Sequence, residues 1–310
     1  MKYLQLKLAE FLAHLLPRGP AYAVAQLIAE LYVVLDRRGR EAVISNLRRI
    51  HRYNGIELSE QALRARARRT FLNFAKYLVD FFKFLRPSPE ALDRILPAAP
   101  LTRALDELLA HGRGVVVVTA HLGNWELGAS AVAARGYKLN VVTLQVSDPK
   151  LNALYQQQRK ARQLRPIPMG RAGRECVAAL RRNELVGLVA DRDFTAARDT
   201  IEFFGQPARL PRGPAKLALA TGAPLLPVFA IRQPDDTFVY LLDEAIWPDK
   251  QRDSVETVTR RVASALERAI GRHSEQWYVF HDLWDVEQDL ALAARMAFGG
   301  NAGPRQTFHG

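Results

Sequence analysis

Residues 114–136 read "GVVVVTAHLGNWELGASAVAARG", and the groups able to do chemistry sit in the middle, where His121 is followed five positions later by Glu126. Imidazole is the side chain whose ordinary titration lies closest to neutrality. A carboxylate that accepts a hydrogen bond from one ring nitrogen fixes the tautomer and makes the other nitrogen the better base. Such a pair has no nucleophile of its own, so it suits the activation of a hydroxyl on a substrate, or of water. Five residues turn an α-helix through about 500°, so the two do not share a helix face. They can meet only if His121 is in a loop and Glu126 in the first turn of the helix that follows. Chance spacing and a structural histidine would give the same pair, so the surroundings have to decide.

Those surroundings are a valine run, Val115 to Val118, a turn with Gly123, Asn124 and Trp125, and a small-residue run from Ala129 to Ala134. They predict a buried strand, an elbow and a helix, with His121 just beyond the carboxyl end of the strand, where open α/β sheets hold ligands. Residues 1–100 carry apolar spacings of three and four throughout and are expected to be a helical, membrane-associating region, with Ser59 and Ser88 as N-caps. Pro20 is expected to separate the first two helices. From 101 to 298 helices and strands alternate. The helix of "PKLNALYQQQRKARQ" is followed directly by that of "GRECVAALRRN", and "DTIEFFGQPARL" reads as a hairpin. The expected fold is therefore α/β, a mostly parallel central sheet flanked by helices, preceded by the helical region. Residues 299–310 read as a disordered tail. Trp277 and Trp284, with Tyr278 and Phe280, have helical spacing and are expected to pack in the core.

With 310 residues, 48% of them hydrophobic, the chain can bury a large core. Its one cysteine, Cys176, rules out an internal disulfide and reads as a buried thiol. The net charge is +12, and residues 1–100 hold 17 lysines and arginines against 9 aspartates and glutamates. That balance calls for a polyanionic neighbour: nucleic acid, anionic lipid or an acidic substrate. No helix-turn-helix, zinc-finger or RNA-recognition signature is present, which argues against nucleic acid. Neither of the first two apolar runs reaches the length of a spanning helix, so the first is expected to lie in a membrane interface. No metal-binding, phosphate-loop or dinucleotide motif occurs, and no metal or bound cofactor is expected.

Four blocks carry a resemblance. "HLGNWELGA" looks like the His-x4-Asp/Glu motif of the lysophospholipid and lipid A biosynthesis (lauroyl/myristoyl) acyltransferase family, near its phosphatidylinositol mannoside acyltransferase branch. "REAVISNLRRI" is similar to the family's Arg-x5-Asn-Leu segment, "VADRDFTAARDTIEFFGQPARLPRGPAKLALATGAPLLPVFAIR" to its second long block, and "SEQWYVFHDLW" to its C-terminal block, where Asp282 replaces a frequent basic residue. The resemblance spans roughly residues 35–285 and implies a peripheral enzyme at the cytoplasmic face of the inner membrane. It would move an acyl chain from acyl-CoA or acyl-carrier protein to a hydroxyl of a lipid or glycolipid. His121 would be the base, oriented by Glu126, with Asn124 and Trp125 beside it as substrate-binding residues and no acyl-enzyme. A thioesterase or lipid hydrolase using the same pair on water, and a basic nucleic-acid-binding protein, are the alternatives.

The second block supplies the remaining candidates. Asp191, Arg192 and Asp193 follow the strand "LVGLVA" and are either a ligand site at a strand end or an exposed charged turn. Glu202, by the resemblance, would help bind the acceptor head group. Arg209, Arg212 and Gly213 precede a helix, and a helix N-terminus beside arginines suits a phosphate, although a solvated basic loop reads the same way. The developing oxyanion would need donors, for which the backbone amides near Gly123 and arginine side chains are candidates.

Overall fold

A computed structural model describes residues 2–84, 88–144, 148–195, 197 and 199–298. The helices before the first strand are α1 (Lys2–Leu15), α2 (Arg18–Leu35), α3 (Arg37–Tyr53), α4 (Glu60–Lys83), α5 (Pro89–Asp93) and α6 (Ala99–Leu109). Next come β1 (Val115–Thr119), α7 (Trp125–Ala133), β2 (Leu139–Thr143), α8 (Pro149–Ala161), β3 (Arg165–Pro168), α9 (Ala172–Arg181) and β4 (Leu185–Val189). The rest is β5 (Ile201–Phe203), β6 (Gln206–Ala208), α10 (Gly213–Thr221), β7 (Leu225–Arg232), β8 (Phe238–Leu242), α11 (Val255–Arg272) and α12 (Val286–Phe298).

Side chains alternate across a strand, so the valines of β1 serve two cores. Val116 and Val118 pack with residues of α9, α10 and α11 on one side of the sheet. Val115 and Val117 pack with Leu101, Leu105 and Val132 of α6 and α7 on the other. A strand buried on both faces reads as a continuous apolar run, and helices on both sides are its consequence. The strand order is β3-β2-β4-β1-β7-β8. The pairs from β3 through β7 are parallel, and β8 returns antiparallel to β7. The expected α/β class with a mainly parallel sheet is what is observed. β5 and β6 form the expected hairpin apart from this sheet.

The helical region before β1 is not set apart from the sheet. Phe71 and Phe74 of α4 pack edge-on against Phe280, and Tyr77 stacks on Trp125 at 4.5 Å between centroids. Asn46 of α3 donates to the carbonyls of His281 (2.9 Å) and Val279 (3.3 Å), which fastens the C-terminal aromatic segment. Arg66 and Arg69 of α4 reach Glu275.

The local signals held at several ends. Ser59 and Ser88 accept hydrogen bonds from Ala62 and Ala91 as N-caps. Elsewhere the structure differs. The break between the first two helices falls at Pro17, and Pro20 lies in the first turn of α2, where a missing N–H costs nothing. The strand β3, sequence RPIP, was not expected between α8 and α9. It is the sheet's edge strand, the position where prolines are tolerated. The aromatic segment is not helical at Trp277, which is extended (φ −92°, ψ 113°) and bridges Leu122. A last helix, α12, follows it. The expected tail, 299–310, lies outside the described residues.

Candidate active site

The chain leaves β1 at Thr119, and His121 occupies the loop before α7. Its position is set by backbone contacts on both sides. The His121 carbonyl accepts from Tyr278 N (2.8 Å), Gly123 N donates to the Gln276 carbonyl (3.0 Å) and Asn124 N to the Ala230 carbonyl (2.8 Å). Gly123 has φ +63°, and a Cβ there would stand 2.1 Å from the Ala230 carbonyl oxygen, so only glycine fits the elbow. Asn124 is the N-cap of α7, accepting from Leu127 N at 3.0 Å. Its amide also lies 3.4 Å from Asp80, whose buried carboxylate is held by Tyr22 and Arg232.

The imidazole's carboxylate partner is Asp191 and not Glu126. His121 Nδ1 stands 2.9 Å from Asp191 Oδ1, and the backbone N–H of His121 donates to Oδ2 at 3.1 Å. Trp277 Nε1 donates to the same Oδ2 at 2.8 Å. Burial by itself would push the Asp191 carboxyl up, but the attraction of His121 and these hydrogen bonds outweigh it and hold the group below the usual carboxylate range. An ionised carboxylate only accepts, so Nδ1 carries a proton, and in the neutral ring Nε2 is then the nitrogen with the lone pair. The ring packs edge-on against Trp125, with centroids 5.0 Å apart.

Glu126 sits in the first turn of α7, as expected, but its charge partner is Arg159 of α8, 3.8 Å away. The reason is direction: the elbow turns His121 toward the end of β4, while Glu126 faces α8. Both still border the same cavity.

That cavity has a volume of about 940 Å³ and runs on both sides of the sheet. Toward α6 and α7 its wall is apolar, with Leu101, Leu105, Val132, Leu139, Val141 and Val228. Toward α9 and α10 it mixes Met169, Leu188 and Leu217 with Arg192, Arg212 and Lys216. His121 borders the cavity where the strands end. Where the cavity meets α4 its wall is aromatic: Phe74, Tyr77 and Phe81.

The remaining predicted residues separate into two groups. Arg192, Asp193, Arg212 and Gly213 line the cavity with His121 and Trp125. Arg192 packs its guanidinium over Phe194 (4.9 Å), and its buried Nε has no hydrogen-bond partner, while burial depresses its pKa. Arg212 is the N-cap residue of α10, so Gly213 opens that helix toward the cavity. Arg209 does not belong to this group. It is fully buried, paired with Asp289 of α12 and with Asp193 (3.8 Å), bonded to the carbonyls of Thr195 and Ala197, and does not border the cavity. Glu202 is exposed on the β5–β6 hairpin and does not border the cavity. The amides of Gly123 and Asn124 are already donating within the fold and cannot serve as oxyanion donors.

Sequence reasoning missed Trp277 as a partner of Asp191, and Tyr77 and Arg159 as cavity walls. Only the Trp277 block carried a usable signal, its similarity to a family segment. Cys176 is buried as expected, and burial raises its thiol pKa to about 11.

An α/β sheet that places a carboxylate-held histidine at its strand ends, beside a largely apolar cavity, defines a class of site able to activate a hydroxyl or water next to an apolar ligand. The family described as bacterial lipid A biosynthesis acyltransferase matches residues 6–285, and the chain belongs to it. Among its relatives, the phosphatidylinositol mannoside acyltransferase of Mycobacterium tuberculosis (strain CDC 1551 / Oshkosh) is 29% identical over 196 residues. That match covers 62% of this chain and 61% of the relative, so the chain spans about three fifths of that protein's length. The protein of the same name from Mycolicibacterium smegmatis is 25% identical over 262 residues, 83% of this chain and 84% of the relative.

Proposed function

We propose that this chain is a lipid O-acyltransferase that carries a fatty acyl group from a thioester donor, acyl-CoA or acyl-carrier protein, directly to a hydroxyl of a lipid or glycolipid. The observation that carries the reading is the His121–Asp191 pair, 2.9 Å apart, at the junction of an apolar and a cationic stretch of one cavity. The apolar stretch suits an acyl chain. Arg212 and Lys216 suit the phosphates of the donor, since guanidinium and ammonium groups are the side chains that pair with phosphate. The names of the relatives favour a glycosylated phosphatidylinositol as acceptor.

The chemistry follows from the tautomer. Nε2 of His121 takes the proton of the acceptor hydroxyl as its oxygen attacks the thioester carbonyl. The tetrahedral intermediate collapses, the carbon–sulfur bond breaks, and the imidazolium returns the proton to the leaving thiolate. Asp191 stabilises the imidazolium and does not take up the proton. Arg192 is the cavity-lining cation available to the oxyanion, because the Gly123 and Asn124 amides are engaged. The donor arrives activated, so no acyl-enzyme is required.

No helix among the described residues is long and apolar enough to cross a membrane. The first two helices nevertheless expose Phe11, Leu15, Leu27, Leu31, Val34 and Leu35. An apolar face of this kind suits docking in the interface of an anionic bilayer, with the basic N-terminal third adding attraction.

The test is label transfer from radiolabelled palmitoyl-CoA to lipid in anionic vesicles containing glycosylated phosphatidylinositol. Label in the lipid fraction, lost in a folded His121→Ala variant, is expected. Release of free fatty acid in the presence of acceptor would point to a hydrolase. Salt-sensitive DNA binding with no acyl chemistry would point to a nucleic-acid-binding protein.

A further inference from the structure

Protein interiors are close-packed, and voids larger than a water molecule are few. The cavity breaks that rule inside the core between the sheet and α6–α7, and its wall there is layered. The parallel register sets Thr119 level with Val189, Val117 with Gly187 and Val115 with Leu185. On the other side of β4, Val141 is level with Gly187 and Leu139 with Leu185. Val117, Gly187 and Val141 border the cavity. One layer down Leu139 still does, while Val115 and Leu185 do not. The cavity therefore ends just below the Gly187 layer.

Gly187 is the one member of its layer without a side chain. A glycine inside a strand weakens it and leaves nothing to pack, and such glycines mark a close approach by a ligand or another backbone. Its backbone does not require glycine, because Gly187 is absent from the positive-φ residues. The space does not require it either. A Cβ would meet the ends of two side chains, Leu139 Cδ1 at 3.3 Å and Val141 Cγ1 at 3.4 Å. Anything larger than a methyl would grow into the cavity.

We propose that Gly187 sets the length of the acyl chain. Its missing side chain leaves the passage by which the end of the chain crosses the Val117–Val141 layer and stops against Leu139, Leu105 and Leu164. His121 is four residues beyond Val117, two of them past the end of β1, so at about 3.3 Å per residue the passage is at most roughly 13 Å from the His121 backbone. This rests on the acyl-transfer reading above, and adds that donor length is fixed by the opening at Gly187 together with the leucine floor beyond it.

The experiment is kcat/KM of the full chain for octanoyl-, lauroyl-, palmitoyl- and stearoyl-CoA, in wild type, Gly187→Val and Leu105→Ala. Gly187→Val is expected to lower the palmitoyl-to-octanoyl ratio at least about tenfold, the scale of a methylene misplaced in an apolar pocket. Leu105→Ala, which removes floor, is expected to raise the stearoyl-to-palmitoyl ratio. Unchanged ratios in both, or an equal loss on every donor in a folded Gly187→Val, overturn the proposal. Should Gly187→Val fail to fold, the stearoyl-to-palmitoyl ratio of Leu105→Ala decides alone. Transfer that is absent in wild type, or that survives His121→Ala, overturns the acyl-transfer reading itself and the length proposal with it. An unchanged profile in an active, His121-dependent enzyme removes only the length proposal.

Discussion

Replacing Asp191 by asparagine removes a charge while keeping the shape. The wild-type carboxylate receives three donors: His121 N, His121 Nδ1 and Trp277 Nε1. An amide has one oxygen, so one nitrogen must face a former donor. If it faces the imidazole, His121 must accept at Nδ1 and carry its proton on Nε2, which removes the base. Loss of the same carboxylate contact in a Ser-His-Asp triad lowers turnover by about 10⁴, or about 5.5 kcal/mol of barrier, and a similar loss is expected here. If the nitrogen takes the place of Oδ2 instead, it faces both Trp277 Nε1 and the His121 amide, and two buried donors are left unmet, at about 1–3 kcal/mol of folding stability each. Either way His121 also loses its counter-charge. The pH dependence has a defined sign. The Asp191 pKa is depressed in the folded state, so its stabilisation is present above the ordinary carboxylate value of 3.8 and fades as pH falls through the lower, folded value. The stability difference between wild type and Asp191→Asn, measured by urea unfolding, should therefore shrink on strong acidification. The assay is single-turnover acyl transfer at neutral pH on folded protein. A variant that keeps a tenth of wild-type turnover would refute the tautomer argument.

Three further outcomes follow from the same geometry. Glu126→Gln should cost up to about 1 kcal/mol by leaving Arg159 without its carboxylate. In a double-mutant cycle with Arg159→Gln the losses should be non-additive, while additive losses would show that the pair is not coupled. Gly123→Ala should destabilise by at least about 2 kcal/mol, from the left-handed backbone and the 2.1 Å approach to Ala230, read as a lowered Tm; a Tm within error of wild type would contradict the elbow. Cys176, with its pKa raised to about 11, is a protonated thiol across the neutral range. It should resist a water-soluble thiol reagent at pH 8 until the chain is unfolded, and fast labelling of the native protein would contradict its burial.

The local part of this molecule was legible because its signals are local. Four valines specify a strand buried on both faces, and the following small residues specify a helix whose partner is close at hand. The two serine caps act on residues three positions away. His121 could be placed at a strand end from these alone. Its partner could not. Asp191 is 70 residues away, and the pairing exists because β1 and β4 are neighbours in the sheet, so that the loops after both strands open on one side. Glu126 was closer along the chain and was the natural expectation, but helix geometry turned it toward Arg159. Arg209 and Arg212 share one basic stretch, and only packing shows that the first is bound to Asp289 while the second borders the cavity. The sequence by itself determined the layer class, the residue types at the strand end and the family. The tertiary structure decided which charges meet and which residues wall the cavity, because those contacts join strands and helices far apart in the chain and leave no periodicity to read.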